Sequence, residues 1–177
     1  MNPELRPAEA PPEENRWTLR CEREIDVEPG RAFELWTRYS DLPRAIACVR
    51  RIQRIGAGRT LWDVDVGGYQ LVWEAWVTEQ SPGRSLRWTS RWGTPNQGEI
   101  RFEPLPDGRS RAIVEIEYAP SGLLERLGAR LGIVRREIEG ALADFAAWAP
   151  NAPRRARAPA KHRAAPERAA SRRTRRS

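Results

Sequence analysis

Side chains that usually carry acid–base catalysis or bind metals are scarce in this 177-residue chain. It contains one histidine, His162, and two cysteines, Cys21 and Cys48. The two cysteines match no metal-ligand spacing and are too few for the disulfide framework of a secreted protein. The scarcity therefore predicts reduced thiols, a cytoplasmic protein, and neither a metal site nor another cofactor.

Long apolar segments and phosphate-binding loops are absent as well. No window of the sequence approaches the roughly 18 uncharged apolar residues that a membrane-spanning helix needs. The segment 1–15 is acidic and rich in proline, and it lacks the apolar run of a signal peptide. No glycine-rich stretch follows a strand pattern and opens a helix, so nothing favours nucleotide binding.

Positive charge is concentrated at the C-terminus. Residues 151–177 hold ten of the 31 basic residues and one of the 24 acidic residues, a net charge of +9. Residues 1–150 therefore hold 21 basic and 23 acidic residues, a net charge of −2. Both ends are rich in proline, alanine and charge without apolar periodicity. We predict disordered segments at 1–15 and 150–177 that flank one domain at 16–149.

The basic tail has the composition of segments that hold nucleic acid without sequence preference. Its candidate polyanion-binding residues are Arg154, Arg155, Arg157, Lys161, Arg163, Arg172, Arg173, Arg175 and Arg176. No aromatic residue interrupts the tail, so base stacking is not expected. A polyanion such as nucleic acid and no specific partner fit the tail equally well, ahead of attraction to anionic lipid.

Hydrophobic periodicity predicts an order of elements for the domain. Apolar residues alternate from Trp17 to Val27, which is typical of a strand. A short amphipathic helical pattern follows through Trp36, and Ser40-Asp41-Leu42-Pro43 indicates a break and a second short helix. From Val49, five glycine- or proline-containing turns separate six further strand patterns. Apolar spacings of three and four then predict a long amphipathic helix over residues 123–148. The order predicts an α+β fold, with a seven-stranded curved antiparallel sheet wrapped around a long C-terminal helix.

The strand phases place most of the central aromatic residues on one face of this sheet. Trp62, Trp73, Trp88 and Trp92 share the inner face, whereas Trp76 falls on the polar face. There it is interpreted as a surface ring that rests on Val72 or on neighbouring arginine stems, in preference to an interface residue. The inner rings fit either a packed core or the wall of a small-molecule pocket. The candidate ligand-binding residues are Trp62, Tyr69, Trp73, Trp88, Trp92, Phe102, Tyr118, Leu127, Leu131 and Val134.

Catalytic groups are hard to assemble from the sequence. The carboxylate pairs Asp63/Asp65 and Glu115/Glu117 fall on the outer face, where solvated ion pairs with arginine are expected. Both cysteines are interpreted as inert thiols because no histidine accompanies them. An enzyme would have to act by holding its substrate folded while a polar group polarises a carbonyl. The candidates for that role are Tyr69, Tyr118, Ser90 and Arg23.

Several motifs together resemble one known family. They are Trp62-x-Val-x-Val-Gly-Gly, Trp73-Glu-Ala-x-Val-Thr-Glu-Gln-x-Pro-Gly, Leu86-x-Trp-x-Ser, Gly93-x-x-Asn96-x-Gly-x-Ile-x-Phe-x-Pro-Leu and Tyr118-x-Pro-x-Gly-Leu-x-Glu. The combination, over residues 17–149, resembles the polyketide cyclase/dehydrase-like proteins of the START and Bet v 1 (SRPBCC) superfamily, near the coenzyme Q-binding START domains. The resemblance implies a helix-grip fold around an apolar cavity, in a superfamily where only some members are enzymes.

The sequence therefore favours a binding protein over an enzyme. The leading hypothesis is a domain that takes one small hydrophobic molecule, such as a lipid, quinone or polyketide-like compound, between sheet and helix. The alternatives are a polyketide cyclase or aromatase that uses the same cavity, and a protein associated with nucleic acid through its arginine-rich tail. Nothing in the sequence indicates the oligomeric state.

Overall fold

The strand and helix patterns form the expected elements in the expected order. A computed structural model describes residues 17–118 and 131–154 of the chain. The elements are β1 (Trp17–Ile25), α1 (Pro29–Trp36), α2 (Leu42–Ala45), β2 (Val49–Gly56), β3 (Arg59–Val66), β4 (Tyr69–Ser81), β5 (Ser85–Gly93), β6 (Asn96–Pro104), β7 (Ser110–Tyr118) and α3 (Leu131–Trp148). The predicted start of the last helix, at residues 123–130, lies outside the described residues.

All seven strands join one antiparallel sheet in the order β1-β7-β6-β5-β4-β3-β2. Strands β2 to β7 are successive hairpin neighbours, as the five turns predict. Strand β1 pairs with β7 at the far edge, where Trp17 lies opposite Tyr118 and Ile25 lies opposite Ser110. The two short helices connect the two edges of the sheet, and α3 packs on its inner face. The helix-grip prediction is confirmed.

The β3–β4 turn is made by Gly67 and Gly68, whose φ angles of 58° and 86° suit a tight primed hairpin. Gly67 also lies against α3. A Cβ atom at this position would come within 2.6 Å of the Cγ2 atom of Ile133. Glycine here allows the described N-terminal turn of α3 to sit directly on the hairpin.

Strand β5 contains a bulge that corrects one prediction. Ser90 pairs with Ala75, but Trp92 pairs with Glu74, so Arg91 is an extra residue in the ladder. An inserted residue reverses the inward and outward alternation beyond it. Trp92 is consequently 42% exposed and pairs with a residue of the outer face, and its predicted inward orientation is wrong.

One end of the inner face is filled by aromatic rings from both layers. Phe33 of α1, Phe102 of β6 and Phe145 of α3, here called the phenylalanine cluster, are all buried. The Phe33 and Phe102 ring centroids are 6.5 Å apart, and those of Phe102 and Phe145 are 6.4 Å apart. Trp36 closes the group at 5.2 Å from Phe145. These edge-on and tilted contacts interlock the helices with the sheet.

The outer face of the sheet carries ion pairs between neighbouring strands. Arg101 lies 3.1 Å from Glu99 and 3.0 Å from Glu115, and Arg20 lies 3.1 Å from Glu115. The charged side chains surround Ile113, which is 2% exposed although its register position is on this face. Such half-exposed pairs contribute little individually, but their stems cover apolar surface.

The outer face also tests the predictions for Asp63, Asp65 and Trp76. Asp63 accepts hydrogen bonds from the Gln70 side chain, and Asp65 accepts one from the Gly68 backbone N–H, so the arginine pairs predicted for these two carboxylates are wrong. Trp76 behaves as predicted, because the Arg59 guanidinium lies 4.7 Å above its ring. Turn geometry and cation–π contacts, rather than salt bridges alone, order this face.

The chain after α3 remains packed beyond the predicted domain boundary at residue 149. A 3₁₀ turn spans Ala149–Asn151, and Ala152 is buried. Arg31 donates to the Ala152 carbonyl at 3.0 Å and Arg38 donates to the Pro153 carbonyl at 2.8 Å. Of the predicted disordered segments 1–15 and 150–177, the first and residues 155–177 of the second lie outside the described residues. Among the described helices, none is long and apolar enough to cross a membrane.

Candidate ligand-binding cavity

A cavity of about 200 Å³ lies between the inner face of the sheet and α3. Side chains of β3, β4 and β5 form one wall. Val134, Ile138, Ala141 and Leu142 of α3 form the opposite wall. The lining is mainly aliphatic and aromatic, which is the usual character of a small-molecule site.

Three tryptophans from adjacent strands line the cavity, and we call Trp62, Trp73 and Trp88 the tryptophan wall. Trp62 and Trp73 are cross-strand partners, and their rings stack at 5.8 Å with an interplanar angle of 9°. Trp62 donates through Nε1 to the Thr60 hydroxyl at 2.9 Å, and Trp88 donates to the Asn96 Oδ1 atom at 2.8 Å. These bonds hold two of the three rings in fixed orientations.

The orientation of Trp88 also depends on Gly98, which lies directly opposite it on β6. A Cβ atom at residue 98 would come within 2.8 Å of the Trp88 Cζ2 atom and 2.5 Å of the Glu115 carbonyl oxygen. Glycine therefore lets the indole lie flat across the neighbouring strand. A side chain at this position would have to displace the ring or the backbone.

The third ring of the wall differs from the other two. The Trp73 Nε1 atom is buried and has no hydrogen-bond partner among residues 17–118 and 131–154. A buried donor without an acceptor loses its bond to water without a replacement, which costs about 1–3 kcal/mol. The Trp73 ring therefore differs from those of Trp62 and Trp88, whose N–H groups are bonded within the protein.

Several polar side chains interrupt the apolar lining. Tyr39 reaches the wall from the loop after α1, and its ring lies 6.1 Å from that of Trp62. Glu137 of α3 lines the cavity, and no hydrogen bond or ion pair ties it to another described residue. The other polar residues of the described lining are Cys48, Thr60, Thr94 and Asn96. No arginine or lysine occurs among the described lining residues.

Burial controls the protonation of the polar groups in this wall. It raises the pKa of the Cys48 thiol to about 11, and the negative charges of Glu137 and Asp144 act in the same direction. Burial also raises the pKa of the Tyr39 phenol, while the nearby Arg54 guanidinium opposes the change. Both groups are therefore neutral at pH 7. Burial likewise raises the pKa of Cys21, away from the cavity.

The structure brings only part of the predicted site together. Trp62, Trp73, Trp88 and Val134 line the cavity. Phe102 does not line it, because this ring is buried in the phenylalanine cluster. Leu127 and the side chains of Tyr118 and Leu131 lie outside the described residues.

The predicted carbonyl-polarising groups also lie away from the cavity lining wherever they are described. Tyr69 is 39% exposed at the β3–β4 hairpin, and Arg23 is exposed on β1. Ser90 is buried, but its hydroxyl accepts the Asn96 backbone N–H at 2.8 Å. Its role is to hold the β5–β6 hairpin. These three assignments are therefore corrected.

The polar lining was missed by the sequence analysis for identifiable reasons. Glu137 lies three residues after Val134 and four before Ala141, so a helical period of 3.6 residues places it on the same face. Thr60 lies two residues before Trp62 on β3, so the alternation of side chains along a strand places it on the same inner face. Asn96 belongs to the predicted turn Gly93-Thr94-Pro95-Asn96, so the sequence analysis treated it as a loop residue. No sequence pattern predicts that Tyr39 lines the cavity, because the position of its side chain depends on the path of the loop between α1 and α2.

The side chains of the cavity are better suited to binding a molecule than to attacking it as nucleophiles. Neutral donors, one carboxylate and stacked rings surround an apolar space, and the Cys48 thiol is held in its protonated form. Within the described residues, no group of three histidine, cysteine, aspartate or glutamate side chains could hold a metal ion. Of the predicted polyanion-binding residues, Arg154 is exposed, and the others lie outside the described residues, so their role stays a prediction.

Comparisons with known proteins agree with this geometry. The family model for polyketide cyclase/dehydrase and lipid transport matches residues 25–147. An uncharacterized 17.2 kDa protein of Streptomyces lincolnensis is 29% identical over 123 residues, covering 69% of this chain and 82% of that protein. The residues matched by the family model begin at the last residue of β1 and contain strands β2 to β7, the two short helices and all but the last residue of α3.

Two solved structures share the fold at low sequence identity. The Zhui aromatase/cyclase of Streptomyces sp. R1128 superposes with a TM-score of 0.66 at 13% identity, covering 77% of this chain and 94% of that chain. A START superfamily protein of Mycobacterium smegmatis gives a TM-score of 0.54 at 13% identity, covering 72% and 98%. The chain belongs to the polyketide cyclase/dehydrase and lipid-transport family.

Proposed function

We propose that the domain binds one small, largely apolar molecule of the lipid, quinone or polyketide-like class in its cavity, without transforming it. The observation that carries the proposal is the 200 Å³ cavity with the tryptophan wall on one side and α3 on the other. Burial of a flat apolar ligand against stacked indoles is favourable, because it removes apolar surface of both partners from water.

The arrangement of the wall supports binding rather than a simple packing defect. Trp62 and Trp88 are held by hydrogen bonds to Thr60 and Asn96. A loosely filled core would let such rings rotate into the space beside them, whereas these bonds and the Gly98 contact keep them on the wall. The cavity is therefore maintained by specific contacts, and a preformed site loses less entropy when a ligand binds.

Extraction of the purified native protein with organic solvent, followed by mass spectrometry, tests the proposal directly. A single apolar species that co-purifies in near-stoichiometric amount is expected. The matched test uses Ala141→Phe, which fills the cavity from α3, and Ala147→Phe, which adds the same ring at an exposed position of the same helix. The first variant should lose the species and the second should keep it. Equal retention by both variants would contradict binding in this cavity.

Polyketide cyclisation is a second candidate function, and one observation favours it. The Glu137 carboxylate lines the cavity with no ion-pair partner among the described residues, so it could accept a proton from a carbon between two carbonyl groups. The resulting enolate carbon would attack a second carbonyl of the same chain. Incubation with a linear poly-β-ketone tests this candidate. Cyclic product that is lost in Glu137→Gln would support catalysis, and no product above the protein-free rate would rule it out.

A further inference from the structure

The bulge in β5 places a second aromatic ring on the outer face of the sheet, beside Trp76. Trp92 is 42% exposed and Trp76 is 37% exposed. Trp92 pairs with Glu74, two residues before Trp76 on β4, so the two indoles are diagonal neighbours on adjacent strands. The interpretation of Trp76 as an isolated surface ring requires Trp92 to face inward, and the bulge removes that condition. Bulges often re-aim a side chain for a function.

Two guanidinium groups flank these rings. Arg59 lies opposite Trp76 on β3, with its guanidinium 4.7 Å from the centre of that ring, and the guanidinium of the bulge residue Arg91 lies 5.6 Å from it. Arg59 also pairs with Glu74 at 2.8 Å. In the part of the chain that the structure describes, no ion pair joins Arg91 to a carboxylate. We call Arg59, Trp76, Arg91 and Trp92 the outer patch, which presents flat apolar rings and positive charge to solvent.

A continuous cross-strand row connects the outer patch with the start of β1. Each member of the row is the antiparallel partner of the next: Thr18, Glu117, Gln97, Thr89, Trp76 and Arg59. In the strand order, β4 is the fourth neighbour from β1, and four spacings of about 4.8 Å amount to about 19 Å. The segment 1–16 joins β1 at Trp17, so it enters the sheet at the end of this row.

The segment before β1 has the composition to cover the outer patch. Residues 1–15 contain four prolines, four glutamates and one arginine, a net side-chain charge of −3. An extended chain that advances about 3.1 Å per residue covers 19 Å in about six residues. Pro11 and Pro12 lie at that separation from Trp17, and glutamates stand on both sides of them within residues 9–14. Proline-rich segments pack their rings on exposed aromatic side chains, and these carboxylates complement the arginines of the patch.

The C-terminal tail does not fit the outer patch. Residues 151–177 carry a net charge of +9, which has the same sign as the charge of the patch. Arg31 and Arg38 of α1 bind the carbonyls of Ala152 and Pro153, so the tail leaves the domain from the helical layer, on the other side of the sheet.

We propose that residues 9–14 of the same chain dock on the outer patch, with the two prolines against Trp92 and Trp76 and a neighbouring glutamate beside Arg91. Because the segment is tethered at Trp17, its effective concentration at the patch is on the order of 1 mM. A contact with a dissociation constant of about 0.1 mM between separate molecules would then keep the patch occupied most of the time. The docking is independent of the cavity, which lies on the other face of the sheet.

NMR spectra of the full chain labelled with ¹⁵N test the docking. Backbone amide signals within residues 8–14 are compared in the wild type, Trp92→Ala and Tyr69→Ala. Tyr69 is the matched control, because its ring is also exposed but lies at the β3–β4 hairpin, seven residues before Trp76. In Trp92→Ala these signals should shift and their ¹H–¹⁵N NOE should fall as the segment is released. In Tyr69→Ala they should stay as in the wild type, and identical spectra for all three proteins would overturn the docking.

A second pair of variants tests the charged part of the contact. Arg91→Gln should shift the same amide signals part of the way towards their positions in Trp92→Ala. Added salt should have the same effect, because it screens exposed charges. Arg87→Gln is the control, since this arginine of the same strand already lies near Glu79 and Glu99. Equal responses to the two substitutions would overturn the pairing of the segment with Arg91.

Contacts in the unsubstituted protein cover the case in which Trp92→Ala does not fold, and they identify which molecule supplies the segment. Protein uniformly labelled with ¹³C and ¹⁵N should give NOE cross-peaks between the ring protons of Pro11 or Pro12 and the indole of Trp92. A mixture of labelled and unlabelled protein, recorded with isotope filtering, reports only contacts between different molecules and should give none. Cross-peaks in the mixture would assign the patch to a second copy, and no cross-peaks in either sample would leave it uncovered. Both results would overturn the inference.

Discussion

The phenylalanine cluster and the tryptophan wall lie on the same face of the same sheet, yet one end is filled and the other encloses a cavity. In the cluster, Phe33 comes from α1, Phe102 from the sheet and Phe145 from α3. Rings from opposite layers interdigitate there and leave no room. All three rings of the wall come from neighbouring strands, and the facing α3 side chains include the short Val134 and Ala141.

The comparison links a filled inner face to rings that interdigitate between the sheet and α3, since Trp36 and Tyr39 of the helical layer line the cavity without filling it. Stacked rings of a single layer occupy a wall, and small residues opposite them preserve the space. The two ends should therefore respond differently to the same kind of substitution. Four experiments test this difference, in order of decreasing effect.

Removal of a large side chain should cost most at the filled end. Phe145→Ala should lower the free energy of unfolding by about 3–5 kcal/mol, because the cluster contacts it on several sides. Leu71→Ala, in the cavity lining, should cost about 1–2 kcal/mol, because part of its surface already borders the cavity. Urea unfolding measures both values. Equal losses would mean that the two ends are packed alike.

Thiol reactivity should show whether the cavity end is accessible from solvent. The pKa of Cys48 is about 11, so at pH 8 iodoacetamide should react roughly a hundredfold more slowly with it than with a thiol of ordinary pKa. The rate is measured in Cys21→Ser between pH 8 and 10. It should rise about tenfold per pH unit as the thiolate forms. A rate independent of pH would indicate that the thiol reacts only after the protein unfolds.

A larger side chain should destabilise the protein at the filled end and should have little effect on stability at the cavity end. Ala32 of α1 is 0% exposed, so Ala32→Leu should destabilise the protein by about 1–3 kcal/mol through overpacking. Ala141→Leu points the same added atoms into the cavity and should change stability by less than about 1 kcal/mol. Thermal unfolding of the two variants provides the comparison. A similar loss in both would contradict an accessible space beside α3.

Particular residues show what the sequence could and could not predict about these two ends. Alternation and turn residues predicted the sheet, since each hairpin depends on local chemistry, and the apolar stripe predicted α3. Trp92 was misplaced because a bulge adds one residue without any mark in the pattern. Tyr39 and Phe33 were not assigned to opposite ends because the path of α1 and α2 depends on tertiary packing. The free Trp73 N–H is likewise invisible in sequence, since it depends on which acceptors lie nearby.

The filled end is also held by a charged cluster that the cavity end lacks among the described residues. Glu34 accepts hydrogen bonds from Arg38 and Arg31, whose guanidinium groups also bind the backbone after α3. The Arg38 hydrogen bond, followed by the Arg31 bond, lowers the pKa of Glu34 below 4.5. At pH 7 Glu34→Gln should cost about 1 kcal/mol, a value that allows for solvent screening of a half-exposed carboxylate.

The pH dependence of the stability lost in Glu34→Gln tests the charged cluster more sharply than the magnitude of the loss at pH 7. A carboxyl group with a lowered folded pKa stabilises the protein above its unfolded pKa, and this stabilisation disappears as the pH falls through the folded value. Wild type and Glu34→Gln should therefore differ at pH 7 and converge only as the pH falls through the lowered folded pKa of Glu34, as urea unfolding at a series of acidic pH values would show. Glu103→Gln, which removes an exposed carboxylate 3.9 Å from Arg101, is the control and should have little effect at either pH. Because the cluster lies at the filled end, Glu34→Gln should retain as much of the co-purifying apolar species as the wild type, and lower retention would show that the two ends are coupled.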